Sequence, residues 1–105
     1  MNQELHERLR KISERLKKEY HAEKVILYGS YAKGEETEDS DIDLFIIAPT
    51  NERFFERMAT VRGLLRDLCY KIPLSPIVLT MHEVEARLKR GDQFIEQIVK
   101  NGVYL

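Results

Sequence analysis

The sequence predicts a small mixed α/β domain of the α+β kind, in which helices pack on one mixed sheet of three to four strands. Three observations carry that prediction. Apolar residues recur at helical spacing near both ends and in the middle of the chain. Two short continuous apolar runs, Val25–Tyr28 and Leu44–Ala48, read as strands covered on both faces. Glycine- and proline-based turn signals separate these segments. With 105 residues there is room for one modest core, so residues 1–105 are read as a single domain.

Leu5, Leu9, Ile12 and Leu16 recur at spacings of four, three and four among Glu, Arg and Lys, which predicts a helix over Gln3–Tyr20 with one buried face. Val25-Ile26-Leu27-Tyr28 is β-prone and is stopped by Gly29, giving the first strand. Gly29–Ser40 has two glycines, no apolar period and many charges, so it reads as a loop with one helical turn at its start. The second strand is expected over Asp41–Ile47. Side chains alternate across a strand, so Asp41 and Asp43 should project from the same face.

Pro49, Thr50 and Asn51 supply a turn and a helix start, after which Phe54, Met58, Val61, Leu65 and Leu68 repeat at helical spacing to about Cys69. Pro73 and Pro76 bracket the approach to a third strand, Ile77–Leu79. Proline lacks the N–H that a central strand needs, which puts this strand at an edge. Thr80-Met81-His82-Glu83 matches the capping box and opens a helix running to about Lys89. Gly91-Asp92 interrupts it, Phe94, Ile95, Ile98 and Val99 form a last apolar stripe, and Gly102 is its stop.

Composition limits the functional classes. Hydrophobic residues at 43% and charged residues at 33% describe a soluble globular protein. No apolar run approaches the roughly 20 residues that cross a bilayer, and Met1–Arg10 is a charged amphipathic segment rather than a secretory signal. A cytoplasmic location without a membrane partner is expected. Cys69 is the only cysteine, so no internal disulfide forms, and its apolar setting marks a core residue. His6, His21 and His82 lack metal-ligand spacing and read as surface residues. Glu35, Glu36, Glu38, Asp39, Asp41 and Asp43 crowd into nine positions, leaving 17 basic against 12 acidic residues elsewhere, a balance that attracts a polyphosphate or an acidic partner.

The chemistry sits where the first two strands meet their loop. A glycine at the end of a strand lets backbone N–H groups approach a phosphate, because no Cβ intervenes, and the Ser30 hydroxyl adds a donor. Two aspartates on one face of the neighbouring strand offer the hard oxygen ligands that Mg²⁺ prefers. Together, Gly29-Ser30 and Asp41-Ile42-Asp43 would hold a nucleoside triphosphate for in-line attack at phosphorus. Lys33 lies close enough in sequence to reach a phosphate.

Gly29-Ser30-Tyr31-Ala32-Lys33-Gly34 followed by Asp39-Ser40-Asp41-Ile42-Asp43-Leu44 resembles the signature of the polymerase β-like nucleotidyltransferase superfamily, in its minimal (MNT) branch. The resemblance extends over essentially the whole chain. It implies a nucleotidyltransferase-type fold, with ATP as substrate and Mg²⁺ held by Asp41 and Asp43 as catalytic residues. It implies nucleotide binding by Gly29, Ser30 and Lys33, and transfer of AMP to an acceptor hydroxyl with release of pyrophosphate. Members of this branch pair with HEPN-domain proteins as antitoxin and toxin, so the resemblance also implies a HEPN partner whose tyrosine is the acceptor. Nucleic acid is not an expected direct partner.

One position departs from the pattern. The resemblance calls for a third carboxylate on the strand after the second long helix, at about Ser75, yet no Asp or Glu occurs between Asp67 and Glu83. A serine hydroxyl is neither an anionic ligand nor an effective base near neutral pH. Two readings therefore stand: a working nucleotidyltransferase, or a nucleotide-binding module of weak or no activity that acts by binding a protein. The nucleobase, the acceptor and the oligomeric state are open.

Overall fold

In the computed structural model, which describes residues 2–105, the chain runs α1 (Gln3–Glu19), β1 (Lys24–Tyr28), α2 (Ser30–Lys33), β2 (Ile42–Ile47) and α3 (Phe54–Leu64). It continues through β3 (Leu74–Leu79), α4 (Met81–Lys89), α5 (Gln93–Asn101) and β4 (Val103–Tyr104). The strands form one sheet in the order β3-β2-β1-β4. β1 is antiparallel to both β2 and β4, whereas β2 and β3 are parallel. This is the mixed α/β architecture that the sequence predicts.

Strand alternation sorts the core into two layers. Val25, Leu27, Ile42, Leu44, Ile46 and Val78 meet Leu9, Ile12 and Leu16 of α1 and Val61 of α3 on one face. Ile26, Phe45, Ile47 and Leu79 meet Val84 of α4 and Ile95 and Ile98 of α5 on the other. Both faces are covered, which is why β1 and β2 read as unbroken apolar runs instead of alternating ones. Each fully buried Leu, Ile or Phe contributes about 1.5–3 kcal/mol relative to exposure. The helix starts follow their local chemistry. Asn2 Oδ1 accepts from Leu5 N–H at 2.7 Å, Asp92 Oδ1 accepts from Ile95 N–H at 3.1 Å, and Thr80 with Glu83 forms the expected capping box.

Three boundaries differ from the sequence reading, and a short fourth strand joins the sheet. β2 starts at Ile42, leaving Asp41 at its mouth, because Ile42 N–H makes the first bond, to the Pro73 carbonyl at 2.8 Å. α3 stops at Leu64 instead of about Cys69. Gly63 weakens its last turn, Leu65 leaves helical geometry at φ −107, and Arg15 from α1 donates to the Leu64 carbonyl at 2.9 Å while gripping Asp67. Leu65, Leu68 and Cys69 still pack on the core, through turns rather than a helix. β3 begins at Leu74, extended by parallel pairing with β2, and it is the edge strand expected from Pro76. The fourth strand is only Val103–Tyr104, too short to carry a period. It is set by Gly102, where a Cβ would collide with Ile26 and with the Ile98 carbonyl.

Arg57 is a buried cation that no periodicity marks. It donates to the carbonyls of Glu52 at 2.9 Å and Val78 at 3.1 Å and pairs with Glu83 at 2.7 Å, joining α3 to the start of α4 across β3. The Arg57 guanidinium, helped by the Thr80 amide and opposed by partial burial, holds Glu83 down to about 2 from an ordinary 4.5. A carboxylate with a depressed folded-state pKa stabilises the fold above its unfolded pKa, and that contribution is lost as pH falls through the folded value. Glu83→Gln should therefore melt lower than wild type at pH 7, and the gap should narrow between pH 4.5 and about 2. Thermal melts followed by circular dichroism across that range would show it; a gap independent of pH would rule out the ion pair as its cause.

Candidate functional site

Topology gathers three strand ends at one point. Antiparallel pairing sets the end of β1 beside the start of β2, and parallel pairing brings the start of β3 alongside. In register, Tyr28 faces Asp43 and Asp43 faces Ser75, so the three side chains form a row across the α4/α5 face of the sheet. Asp41, two residues before Asp43, shares that face, and the Ser75 hydroxyl donates to Asp41 Oδ2 at 2.9 Å. Both aspartates are partly buried.

Gly29 follows Tyr28 with φ 76 and ψ −154, a conformation that is essentially glycine-only. A Cβ at this position would collide with Asp43 Oδ2 and lie 3.2 Å from its Cγ. The backbone turn therefore sits directly against a carboxylate, in the space a side chain would fill. Ser30 is the first residue of α2 and does not cap it; Gly29 takes the cap position without a side-chain bond. Lys33 is exposed at the far end of α2, on the wall of a cleft of about 330 Å³ that also borders Tyr28, Gly29, Phe94, Gln97 and Asn101. Glu35, Glu36, Glu38 and Asp39 stay apart from the aspartate pair, on an exposed loop closed by Thr37 and Ser40.

Electrostatics single out the aspartate pair. Burial, and next the charge of Asp41, push the Asp43 carboxyl above its ordinary 3.8. Burial, with the Asp43 charge adding to it, pushes the Tyr28 hydroxyl up to about 12. Asp67, Glu83 and Asp92 behave oppositely, each lowered by its hydrogen-bonding partners. No ion pair among the described residues includes Asp41 or Asp43. A desolvated like-charge pair without a cation favours a positive ligand. Mg²⁺ is commonly held by one or two carboxylates completed by phosphate oxygens and water, so this donor set fits it. No cluster of three or more acidic, His or Cys side chains suited to a metal occurs among the described residues.

Of the residues the sequence proposes, Gly29, Asp41 and Asp43 converge, Ser30 adjoins them in the chain, and Lys33 stands on the cleft. Ser75 occupies the position expected of a third carboxylate. The sequence reading placed Phe94 in an apolar stripe and did not single out Gln97 or Asn101; all three line the cleft, at the spacings of a single face of α5. Their signal was masked by the apolar stripe that the same helix buries.

A glycine turn against paired carboxylates at the strand ends of a mixed sheet has the arrangement of a nucleotide-handling domain. Comparison with known proteins gives the family: the chain belongs to the nucleotidyltransferase domain family, whose model matches residues 9–105. Nucleotidyl transfer is the chemistry of that family. Among the relatives are Methanocaldococcus jannaschii proteins named as candidate protein adenylyltransferases. MJ1379 is 38% identical over 73 residues, covering 68% of this chain and 73% of the relative. MJ0128 is 36% identical over 74 residues, covering 65% and 76%. MJ1215 is 43% identical over 56 residues, covering 50% and 65%.

The contrast between two left-handed glycines tests the turn. Gly29→Ala should cost about 1–3 kcal/mol of stability through backbone strain and should also displace Asp43. Gly34 has φ 71 but open space where its Cβ would go. Gly34→Ala should therefore cost only about 1–2 kcal/mol and leave Asp43 in place. Chemical denaturation and a crystal structure of each variant would separate the two; an unmoved Asp43 carboxylate in Gly29→Ala would contradict the close approach.

Proposed function

We propose that this domain transfers the AMP moiety of ATP to a hydroxyl on a protein, with Mg²⁺ held by Asp41 and Asp43. The observation that carries this reading is the contact between a glycine-only turn and a carboxylate pair that lacks a counter-charge. Gly29 and Ser30 bind the triphosphate through backbone N–H groups and the serine hydroxyl, and Lys33 reaches a phosphate oxygen. Bound Mg²⁺ would neutralise charge on the phosphate oxygens in the transition state. The acceptor oxygen forms a bond to the α-phosphorus, the bond to the β-phosphate oxygen breaks, and pyrophosphate leaves while the acceptor proton passes to a base.

A protein acceptor is supported by the names of the M. jannaschii relatives. Within that class the proposed acceptor is a tyrosine of a HEPN-domain partner, on the family resemblance of the sequence, which would make the domain an antitoxin acting in the cytoplasm. Among the described residues no helix is long and apolar enough to cross a membrane.

Ser75 supports a second reading. It hydrogen-bonds Asp41 where a carboxylate would serve as ligand and base, and so favours a slow or inactive module that binds nucleotide and partner without turnover. General-base assistance is worth about 10²–10⁴-fold. With labelled ATP, Mg²⁺ and the partner present, wild type should transfer label slowly in a single turnover. Ser75→Asp should accelerate it by up to that factor, while Asp41→Asn with Asp43→Asn should abolish both transfer and tight Mg·ATP binding. Binding without transfer in both wild type and Ser75→Asp would establish the second reading. Fast transfer by wild type, unchanged in Ser75→Asp, would mean that another group supplies the base.

A further inference from the structure

We propose that the cleft between α2 and α5 receives the purine base of the nucleotide, with Phe94 as its stacking wall and the Gln97–Asn101 amides at its edge. This rests on reading Gly29, Ser30 and the aspartates as the triphosphate and cation site, and it says where the rest of the nucleotide goes. Position is the first argument. Gly29 borders the cleft on one side and touches the Asp43 carboxylate on the other, so a phosphate chain held at Gly29 can extend its nucleoside end into the cleft. The volume of about 330 Å³ lies within the usual range for small-molecule sites.

The lining selects the ligand's chemistry. Lys33 is the only charged side chain among its residues, and Tyr28, Ala32, Phe94 and Ile98 make most of the wall. Such a surface suits a flat, neutral group better than a polyanion, which would call for several cations. Phe94 is 53% exposed and lines the cleft, so part of its ring is open to a ligand there. It packs against Tyr28 in a T-shaped contact, with centroids 5.8 Å apart and planes at 86°, and its exposed part is available for stacking.

The two amides supply the polar edge. One turn apart on α5, Asn101 Nδ2 donates to Gln97 Oε1 at 2.6 Å. That bond leaves the Asn101 Oδ1 oxygen, the second Asn101 Nδ2–H and both Gln97 Nε2–H donors outside the pair's own hydrogen bond. Amide donors and acceptors are what a base edge requires, as where one amide pairs with the N6–H and N7 groups of adenine. Rotating both amides exchanges which residue supplies the free oxygen and still leaves N–H donors beside it. The larger stacking area of a purine favours it over a pyrimidine against Phe94.

Calorimetric titrations of the whole chain with Mg·ATP, Mg·CTP and Mg·tripolyphosphate, the last lacking any nucleoside, test this directly. Wild type should bind ATP more tightly than CTP or tripolyphosphate. Phe94→Ala removes an exposed ring and should weaken ATP binding roughly 5- to 150-fold, the range for loss of one stacked base, with tripolyphosphate unchanged. Gln97→Ala with Asn101→Ala should reduce the preference for ATP over CTP to what stacking on Phe94 alone supplies, with tripolyphosphate unchanged. Equal wild-type affinity for ATP and tripolyphosphate, or equal weakening of both by Phe94→Ala, would overturn the base site while leaving the triphosphate site standing. Failure of wild type to bind any of the three would remove both.

Discussion

Helices lie on both faces of the sheet, so an ionised side chain in the middle of β1 or β2 would be cut off from water at a cost of several kcal/mol unless fully compensated. One step along the register from Asp43 the central strands are completely apolar: Phe45 faces Ile26, and both are 0% exposed. Only where the strands run out is water within reach. The antiparallel pairing of β1 with β2 and the parallel pairing of β2 with β3 bring three such ends to the same border. The location of the site thus follows from burial and strand direction, before any particular catalytic residue is considered.

Within that border the molecule treats its acids in two ways. Glu83 sits against a buried guanidinium, in a bonding pattern that lowers its pKa and ties α3 to α4. Asp43 faces Asp41 and a tyrosine, without a cation, and its pKa moves the other way. The same chain compensates one acid fully and leaves the other under repulsion. Local strain of this kind persists where the rest of the fold can sustain it, and it concentrates at sites that await a ligand. The Ser75 hydroxyl relieves part of the load by donating to Asp41, as a third carboxylate in its charged form would not.

Much of this was legible in the residues. Periodicity located α1 because Leu5, Leu9, Ile12 and Leu16 all turn inward, and unbroken apolar runs identified β1 and β2 because the sheet is roofed twice. Asp41 and Asp43 could be assigned to one face from alternation alone. What escaped depends on tertiary contacts. The end of α3 is set by an arginine 49 residues earlier in the chain, and the apolar period continued past it because turns can bury Leu68 and Cys69 as well as a helix can. β4 has two residues and exists because Gly102 allows a close approach to Ile26. Phe94, Gln97 and Asn101 gain meaning only once α5 packs beside α2, which no local pattern reports.

The spacing of the site along the chain governs the order in which it can assemble. The glycine turn and both aspartates lie on the adjacent, antiparallel strands β1 and β2, so closing one short loop joins them. Ser75 arrives only after the chain has crossed back through α3 to lay β3 parallel to β2, a longer closure with a larger entropic barrier. A chain emerging from its N-terminus would thus hold the glycine turn and the aspartate pair together while the third arm was still unmade. Ser75 on that arm donates to Asp41, so the last arm to arrive completes the hydrogen bonding of the pair that the first two bring together.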